Sequence, residues 1–91
     1  MTLVLEGMLD AAGGEALLST VHRALQAQPE RIDIDLRVVT SFVREGAMAL
    51  ARCRDVCGGL PAGLHYRTDG GPGQLALLTA FEYEPVVDHI D

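Results

Sequence analysis

The chain has 91 residues, of which 48% are apolar, and thirteen acidic residues against seven basic ones, all arginine, give a formal net charge of −6. This length predicts one domain with a single modest core. The acidic balance and the aromatic content of 4% argue against nucleic-acid binding and favour a basic protein partner. Because no stretch approaches the ~20 apolar residues of a membrane span and no signal peptide is visible, we expect a cytoplasmic protein without direct membrane insertion.

The first predicted element is a short strand from Thr2 to Leu9. Its side chains alternate between two faces. One face carries Leu3, Leu5 and Leu9, and the other carries Val4, Glu6 and Met8. Gly7, in the middle of this pattern, indicates a bulge or a close backbone approach.

A helix is expected to follow, with Asp10 as its N-cap and its end at about Gln28. Its apolar residues recur at helical spacing. They are Leu17, Leu18, Val21, Ala24 and Leu25. Gly13 and Gly14 weaken the first turn by about 1 kcal/mol each relative to alanine, so we expect the helix to begin nearer Glu15.

The stretch from Arg31 to Leu50 is predicted to be a strand that leads through a tight turn into a second helix. Ile32, Ile34 and Leu36 alternate with charged residues, which indicates one buried face. Further on the apolar spacing becomes helical, over Gly46, Leu50, Cys53 and Cys57. The N-terminus of such a helix has unpaired N–H groups and lies at the end of the sheet, where sites in open α/β sheets usually lie. We therefore predict the functional site at this turn.

Two more strands and one more helix complete the prediction. The third strand contains Leu64, His65, Tyr66 and Arg67. The third helix starts near Pro72 and ends at about Glu82, and it carries Leu75, Leu78 and Phe81. A last short strand is predicted at Val86 and Val87. Alternating strands and helices predict an α/β fold with parallel strands. Because the charged strand residues fall on one side, we expect two layers, with the helices on one face of the sheet and cross-strand Arg–Asp pairs on the other.

The two cysteines, Cys53 and Cys57, are four residues apart on the second helix. Free cysteine is among the most buried residue types, which favours two small core residues. A zinc site would need two more ligands, and His65 is the only reasonable candidate for a third. We therefore expect no metal and no cofactor.

Sequence motifs that support catalysis are missing. There is no Ser-His-Asp or Cys-His constellation with supporting context, no P-loop and no Gly-x-Gly-x-x-Gly. The run from Gly70 to Gly73 could present backbone N–H groups to an anion, although a plain Pro-Gly turn is the simpler interpretation. We expect that the protein is not an enzyme.

Segments along nearly the whole chain carry, in order, a resemblance to one known family. Leu5–Asp10 resembles a Gly-x-Leu-Asp start of helix 1, Ile32–Leu36 a hydrophobic strand ending in Asp-Leu, and Val39–Leu50 the turn and second helix. Gly58-Gly59 with the strand after it, and then Leu75–Phe81, resemble the rest. The family is the STAS domain family, of anti-sigma-factor antagonists and sulphate-transporter C-terminal domains. The resemblance implies a two-layer β/α superhelix over residues 1–91, without the family's opening strand and C-terminal helix.

The resemblance also implies how family members are switched. The family signature at the start of helix 2 is Asp-Ser-Ser-Gly, whose first serine is phosphorylated by a partner kinase. Aligned through Asp35-Leu36 and Gly46, the three positions before the glycine hold Val43, Arg44 and Glu45, so Arg44 occupies the degenerate phosphosite. Arg44 and Glu45 are either solvated residues of a divergent domain or part of a partner surface fixed in one state. Thr40 and Ser41 are alternative phosphate acceptors, although such residues are more often turn hydroxyls or N-caps.

Two functions are compatible with this resemblance. The first is a non-enzymatic protein-interaction module of bacterial transcription regulation, of the anti-sigma-factor-antagonist type, which binds an anti-sigma factor or kinase-like partner. Its predicted partner-binding residues are Thr40, Ser41, Val43, Arg44, Glu45 and Gly46. The second is a structural subunit of a larger assembly, such as a lipid-transport or stressosome-like complex. Because the opening strand is absent, the strand at Leu3–Leu9 is expected to be a sheet edge that forms a homodimer or accepts a partner strand.

Overall fold

The computed structural model describes residues 1–82, in which strands and helices alternate strictly. The strands are β1 (Thr2–Leu9), β2 (Arg31–Phe42) and β3 (Gly63–Arg67), and the helices are α1 (Ala11–Leu25), α2 (Arg44–Val56) and α3 (Gly71–Glu82). The last strand predicted at Val86 and Val87 lies outside the described residues.

The three strands form one parallel sheet in the order β1-β2-β3, which confirms the predicted α/β class. The central strand buries Ile32, Ile34 and Leu36 against the helices, together with Val21 of α1 and Leu50 of α2. The opposite face of the sheet carries no described helix, and its side chains include exposed apolar and charged residues. The two-layer arrangement expected from the one-sided charge pattern is therefore confirmed.

The pairing of β1 with β2 is interrupted twice. Val4 pairs with Asp35 and Glu6 pairs with Val38, so β1 advances by two residues where β2 advances by three. A second shift follows Gly7. Gly7 has a φ of 76°, a conformation that L side chains rarely adopt. The irregularity that the sequence predicted at Gly7 is confirmed.

Helix α1 begins at Ala11, so the prediction of a start nearer Glu15 is wrong. Asp10 is the N-cap, as predicted, and its Oδ1 accepts a hydrogen bond of 2.7 Å from the backbone N–H of Gly13. Gly14 is buried where α1 crosses α2, and a Cβ added to it would lie 2.8 Å from the Cβ of Ala49. The two glycines therefore stay helical because the cap and the close helix contact outweigh their low propensity.

Helix α3 packs against α2 and against β2, where it contacts Leu36, the residue after the last one that pairs with β3. Gly73 is buried there, and a Cβ on it would lie 2.9 Å from the Cβ of Leu36 and closer still to the Leu36 carbonyl oxygen. The buried stripe of the helix is formed by the small residues Gly73, Ala76 and Ala80. Two of the three large residues that the sequence placed on this helix, Leu75 and Leu78, are 57% and 54% exposed.

Candidate functional site

The junction of β2 and α2 is a single residue, Val43. It is the N-cap of α2 with extended backbone, and its side chain gives no hydrogen bond to the helix. Its N–H donates to the carbonyl oxygen of Leu9 at 3.0 Å, and its own carbonyl accepts the first helical bond from Ala47 at 3.0 Å. The junction is thereby fixed to the end of β1, so the start of α2 lies at the carboxyl end of the sheet, as predicted.

Five of the six predicted partner-binding residues lie on one exposed stretch around this junction. Thr40 and Ser41 are exposed near the end of β2, Val43 is partly exposed, and Arg44 and Glu45 are exposed in the first turn of α2. Glu45 suits the positive end of the helix dipole. We call this stretch, residues 40–45, the junction surface.

Gly46 differs from its neighbours because it is buried. A Cβ on this residue would lie 2.7 Å from the carbonyl oxygen of Asp10 and closer still to that of Leu9. The missing side chain therefore makes room for the backbone of the β1–α1 connection, not for a partner, and Gly46 supports the junction surface from below.

The hydroxyls of Thr40 and Ser41 lie within β2 itself. Ser41 is the β2 partner of Met8, and Val43 occupies the N-cap position of the following helix. The interpretation of these two residues as turn hydroxyls or helix caps is therefore wrong. Their exposure leaves both of them accessible on the junction surface.

A shallow depression of about 330 Å³ between α1 and α2 adjoins the junction surface. Glu45 and Met48 line it from α2, together with Glu15 of α1 and Arg52 of α2, whose carboxylate and guanidinium groups form an ion pair of 2.8 Å. Of these four residues, the sequence analysis predicted a binding role only for Glu45. The spacing of Glu45, Met48 and Arg52 at i, i+3 and i+7 marks one helix face and could have indicated them.

The charged face of the sheet contains two ion pairs, and both run along β2. Arg31 binds Asp33 at 2.9 Å and Arg37 binds Asp35 at 2.8 Å, so the prediction of cross-strand Arg–Asp pairs is wrong. Hydrogen bonds from the Arg37 side chain and backbone N–H lower the pKa of Asp35 from an ordinary 3.8 to about 2. The side-chain hydrogen bond from Arg31 likewise lowers the pKa of Asp33. Both carboxylates are therefore ionised at neutral pH and are poorly suited to donate a proton.

The cysteines belong to the core and not to this face. Cys53 and Cys57 are buried on the core side of α2, and burial raises the pKa of the Cys53 thiol to about 12 and that of Cys57 in the same direction. His65 is exposed on β3, with its Nε2 at 2.9 Å from the Ala62 carbonyl oxygen. Over residues 1–82, no cluster of three or more His, Cys, Asp or Glu side chains could hold a metal ion.

Comparison with known proteins returned no family model, no curated protein and no solved structure that matches this chain. Among the helices of residues 1–82, none has both the length and the apolar character needed to cross a bilayer.

Proposed function

We propose that the chain is a cytoplasmic, non-enzymatic protein-interaction module that resembles anti-sigma-factor antagonists and binds its partner through the junction surface. The observation that carries this proposal is the exposure of five of residues 40–45, with the half-buried Phe42 among them, at the carboxyl end of the sheet. Val43 offers an apolar contact and Arg44 and Glu45 offer charges of both signs, a mixture suited to recognition of a folded protein surface.

The same surface has no serine at the position of the family's phosphosite. A phosphate adds nearly two negative charges and three acceptor oxygens, which is how such a residue changes an interface. Arg44 cannot be modified in this way, so binding at the junction surface is proposed to be independent of serine phosphorylation. The proposal rests on the resemblance and on the exposure of these residues.

The partner is best sought by affinity purification of the tagged chain from cells that make it naturally. The recovered partner is then titrated with the wild type and with Arg44→Glu at two salt concentrations. If the interface desolvates this side chain, the affinity is expected to change roughly tenfold or more; at the rim the change is smaller and falls with salt. Arg23→Glu is the matched control, because it makes the same charge change on an exposed residue in the last turn of α1.

Two results would count against this proposal. An affinity that Arg44→Glu and Arg23→Glu leave equally unchanged removes the junction surface as the binding site. Phosphate on Thr40 or Ser41, found by mass spectrometry of protein from its natural cell, contradicts the absence of a phosphorylation switch.

A structural subunit of a larger assembly is the second candidate function. The exposed leucines of α3, Leu75 and Leu78, favour it because apolar side chains that remain outside a core frequently belong to a permanent interface. The affinity purification separates the two functions. Recovery of an anti-sigma factor or kinase-like protein supports the first, and recovery of transporter or scaffold subunits supports the second.

A further inference from the structure

The outer edge of β1 is unpaired in the part of the chain that the structure describes. The sheet order β1-β2-β3 gives β1 a neighbour on one side only. Unpaired strand edges present a row of N–H and C=O groups that another extended chain can bind. The chemistry of this edge therefore selects a β-strand as its occupant, since an apolar ligand could not satisfy the backbone groups.

The phase of the β1–β2 ladder shows which backbone groups are available. The N–H of Asp33 donates to the Met1 carbonyl oxygen at 2.8 Å, and Thr2 and Val4 are the partners of Asp33 and Asp35. In a parallel ladder with this phase, Leu3 and Leu5 direct their N–H and C=O groups towards β2. Thr2, Val4 and Glu6 then direct theirs away from the sheet.

Apolar side chains are left uncovered on both sides of this edge. On the open face of the sheet Val4 is 57% exposed and Met8 is 55% exposed. On the helix side, Leu3 and Leu5 are half-buried beside a groove of about 340 Å³ between β1 and α1, which the small residues Gly13 and Ala16 leave open. A strand added to β1 would cover apolar surface above and below itself.

We infer that the occupant is a second copy of this chain, paired antiparallel through β1 about a two-fold axis at Val4. This arrangement sets Val4 against Val4, Leu3 against Leu5 and Thr2 against Glu6 of the other copy. It joins the three strands that residues 1–82 form in each copy into one sheet of six. The surface is distinct from the junction surface, so the inference stands or falls independently of the proposed function.

Charge placement supports self-pairing in this register. Glu6 is the only charged residue between Thr2 and Leu9, although the whole chain carries a net charge of −6. The axis at Val4 places each Glu6 carboxylate opposite a threonine, whereas an axis at Glu6 itself would oppose two like charges, which is destabilising. The pairing also ends before Gly7, where the backbone turns to a φ of 76°.

The first test uses cysteine variants of the full chain under mild oxidation, read on a non-reducing gel. Val4→Cys places two thiols in directly opposed positions, at a Cα separation of about 5.5 Å that a disulfide can span, so a covalent dimer is expected. Thr2→Cys is the matched control on the same strand and face. In this register its thiol is opposite Glu6 of the other copy, so the two introduced thiols do not meet. Equal cross-linking of both variants, or of neither, overturns the register.

The second test measures the mass of the full chain by analytical ultracentrifugation at high micromolar concentration. The wild type is expected at twice the chain mass. Val4→Pro removes an outward N–H that the β1–β2 ladder does not use, so it should give a folded monomer by circular dichroism and sedimentation. Val4→Thr keeps the N–H and the branched side chain and should remain a dimer. A monomeric wild type, or a Val4→Pro variant that stays dimeric, overturns the inference.

Discussion

Gly46 is the residue at which two of the three described β–α connections, β1–α1 and β2–α2, meet. A Cβ added to it would collide with the carbonyl oxygens of Leu9 and Asp10, so a methyl group has no space. Because those neighbours are backbone atoms of the β1–α1 connection, they can move only if the whole connection moves. A single glycine thus holds the junction surface in register with the end of β1.

We expect Gly46→Ala to destabilise the fold. Overpacking costs about 1–3 kcal/mol, and the better helix propensity of alanine recovers about 1 kcal/mol at most, so a net loss of roughly 1–2 kcal/mol is expected in urea denaturation. Gly59→Ala is the control, because a Cβ there meets nothing within 4 Å, and it should change the free energy of unfolding by less than about 0.5 kcal/mol. Equal stability of the two variants would contradict this view of Gly46.

Asp35 makes the stability of the fold depend on acid pH. Its pKa is lowered from 3.8 to about 2 in the folded state, so its ionised form favours folding. This stabilisation is fully present above pH 4 and is lost as the pH falls towards 2. The free energy of unfolding should therefore decrease over this interval, and Asp35→Asn should make the decrease shallower.

The cause of the lowered pKa can be tested separately with Arg37→Gln. This variant removes the charged partner of Asp35, so the folded-state pKa of Asp35 should rise towards 3.8. The acid-dependent loss of stability between pH 4 and pH 2 should therefore become smaller and should be complete at a higher pH. Arg23→Gln, on the far side of α1, should leave the profile of the wild type unchanged. A wild-type profile that is flat between pH 4 and pH 2 would contradict the assignment.

The contact between α1 and α2 depends on complementary small residues, Gly14 and Ala49. Gly14→Ala alone should lower the free energy of unfolding by roughly 1–2 kcal/mol, because two Cβ atoms at 2.8 Å force the helices apart. Ala49→Gly should cost about 1 kcal/mol through helix propensity. The double variant should lose less than the sum, by about 0.5–2 kcal/mol in a denaturant double-mutant cycle. Strict additivity would show that the two residues do not determine the helix separation.

Hydrophobic period and capping residues predicted the type and order of the six elements that the structure describes. The alternation at Ile32, Ile34 and Leu36 identified the central strand, and Asp10 was recognised as a cap. The start of α1 was predicted wrongly because helix propensity counts Gly13 and Gly14 as weak, while their role is a tertiary contact with α2 that one sequence does not reveal. The burial of small residues instead of leucines on α3 is likewise a tertiary effect, since at Gly73 the approach to Leu36 leaves no space for a Cβ.

The sequence predicted where the candidate site lies, but not the burial and contacts of its individual residues. A strand followed by a helix indicated the junction at residues 40–45, because that order fixes the carboxyl end of the sheet. The burial of Gly46 and the pairing of Arg37 with Asp35 along one strand depend on backbone distances and rotamers. Neither is encoded in spacing alone.

Cys53 is fully buried in the core, so the accessibility of its thiol reports on the opening of the whole fold. Burial raises its pKa to about 12, so a thiol reagent at neutral pH should label Cys53 only when the fold opens. Labelling followed by mass spectrometry should give a rate that increases with urea in parallel with global unfolding. Native-state labelling as fast as in the denatured chain would contradict this burial.

The sheet order also bears on synthesis at the ribosome. Because each strand lies beside the one that precedes it in the chain, β1, α1 and β2 can pair before β3 has been translated. Translation proceeds at about 5–20 residues per second. The edge of β2 that later pairs with β3 therefore stays unpaired for a time on the order of seconds. During that interval the edge is open to pairing with a neighbouring nascent chain, so misassembly is expected to compete with folding.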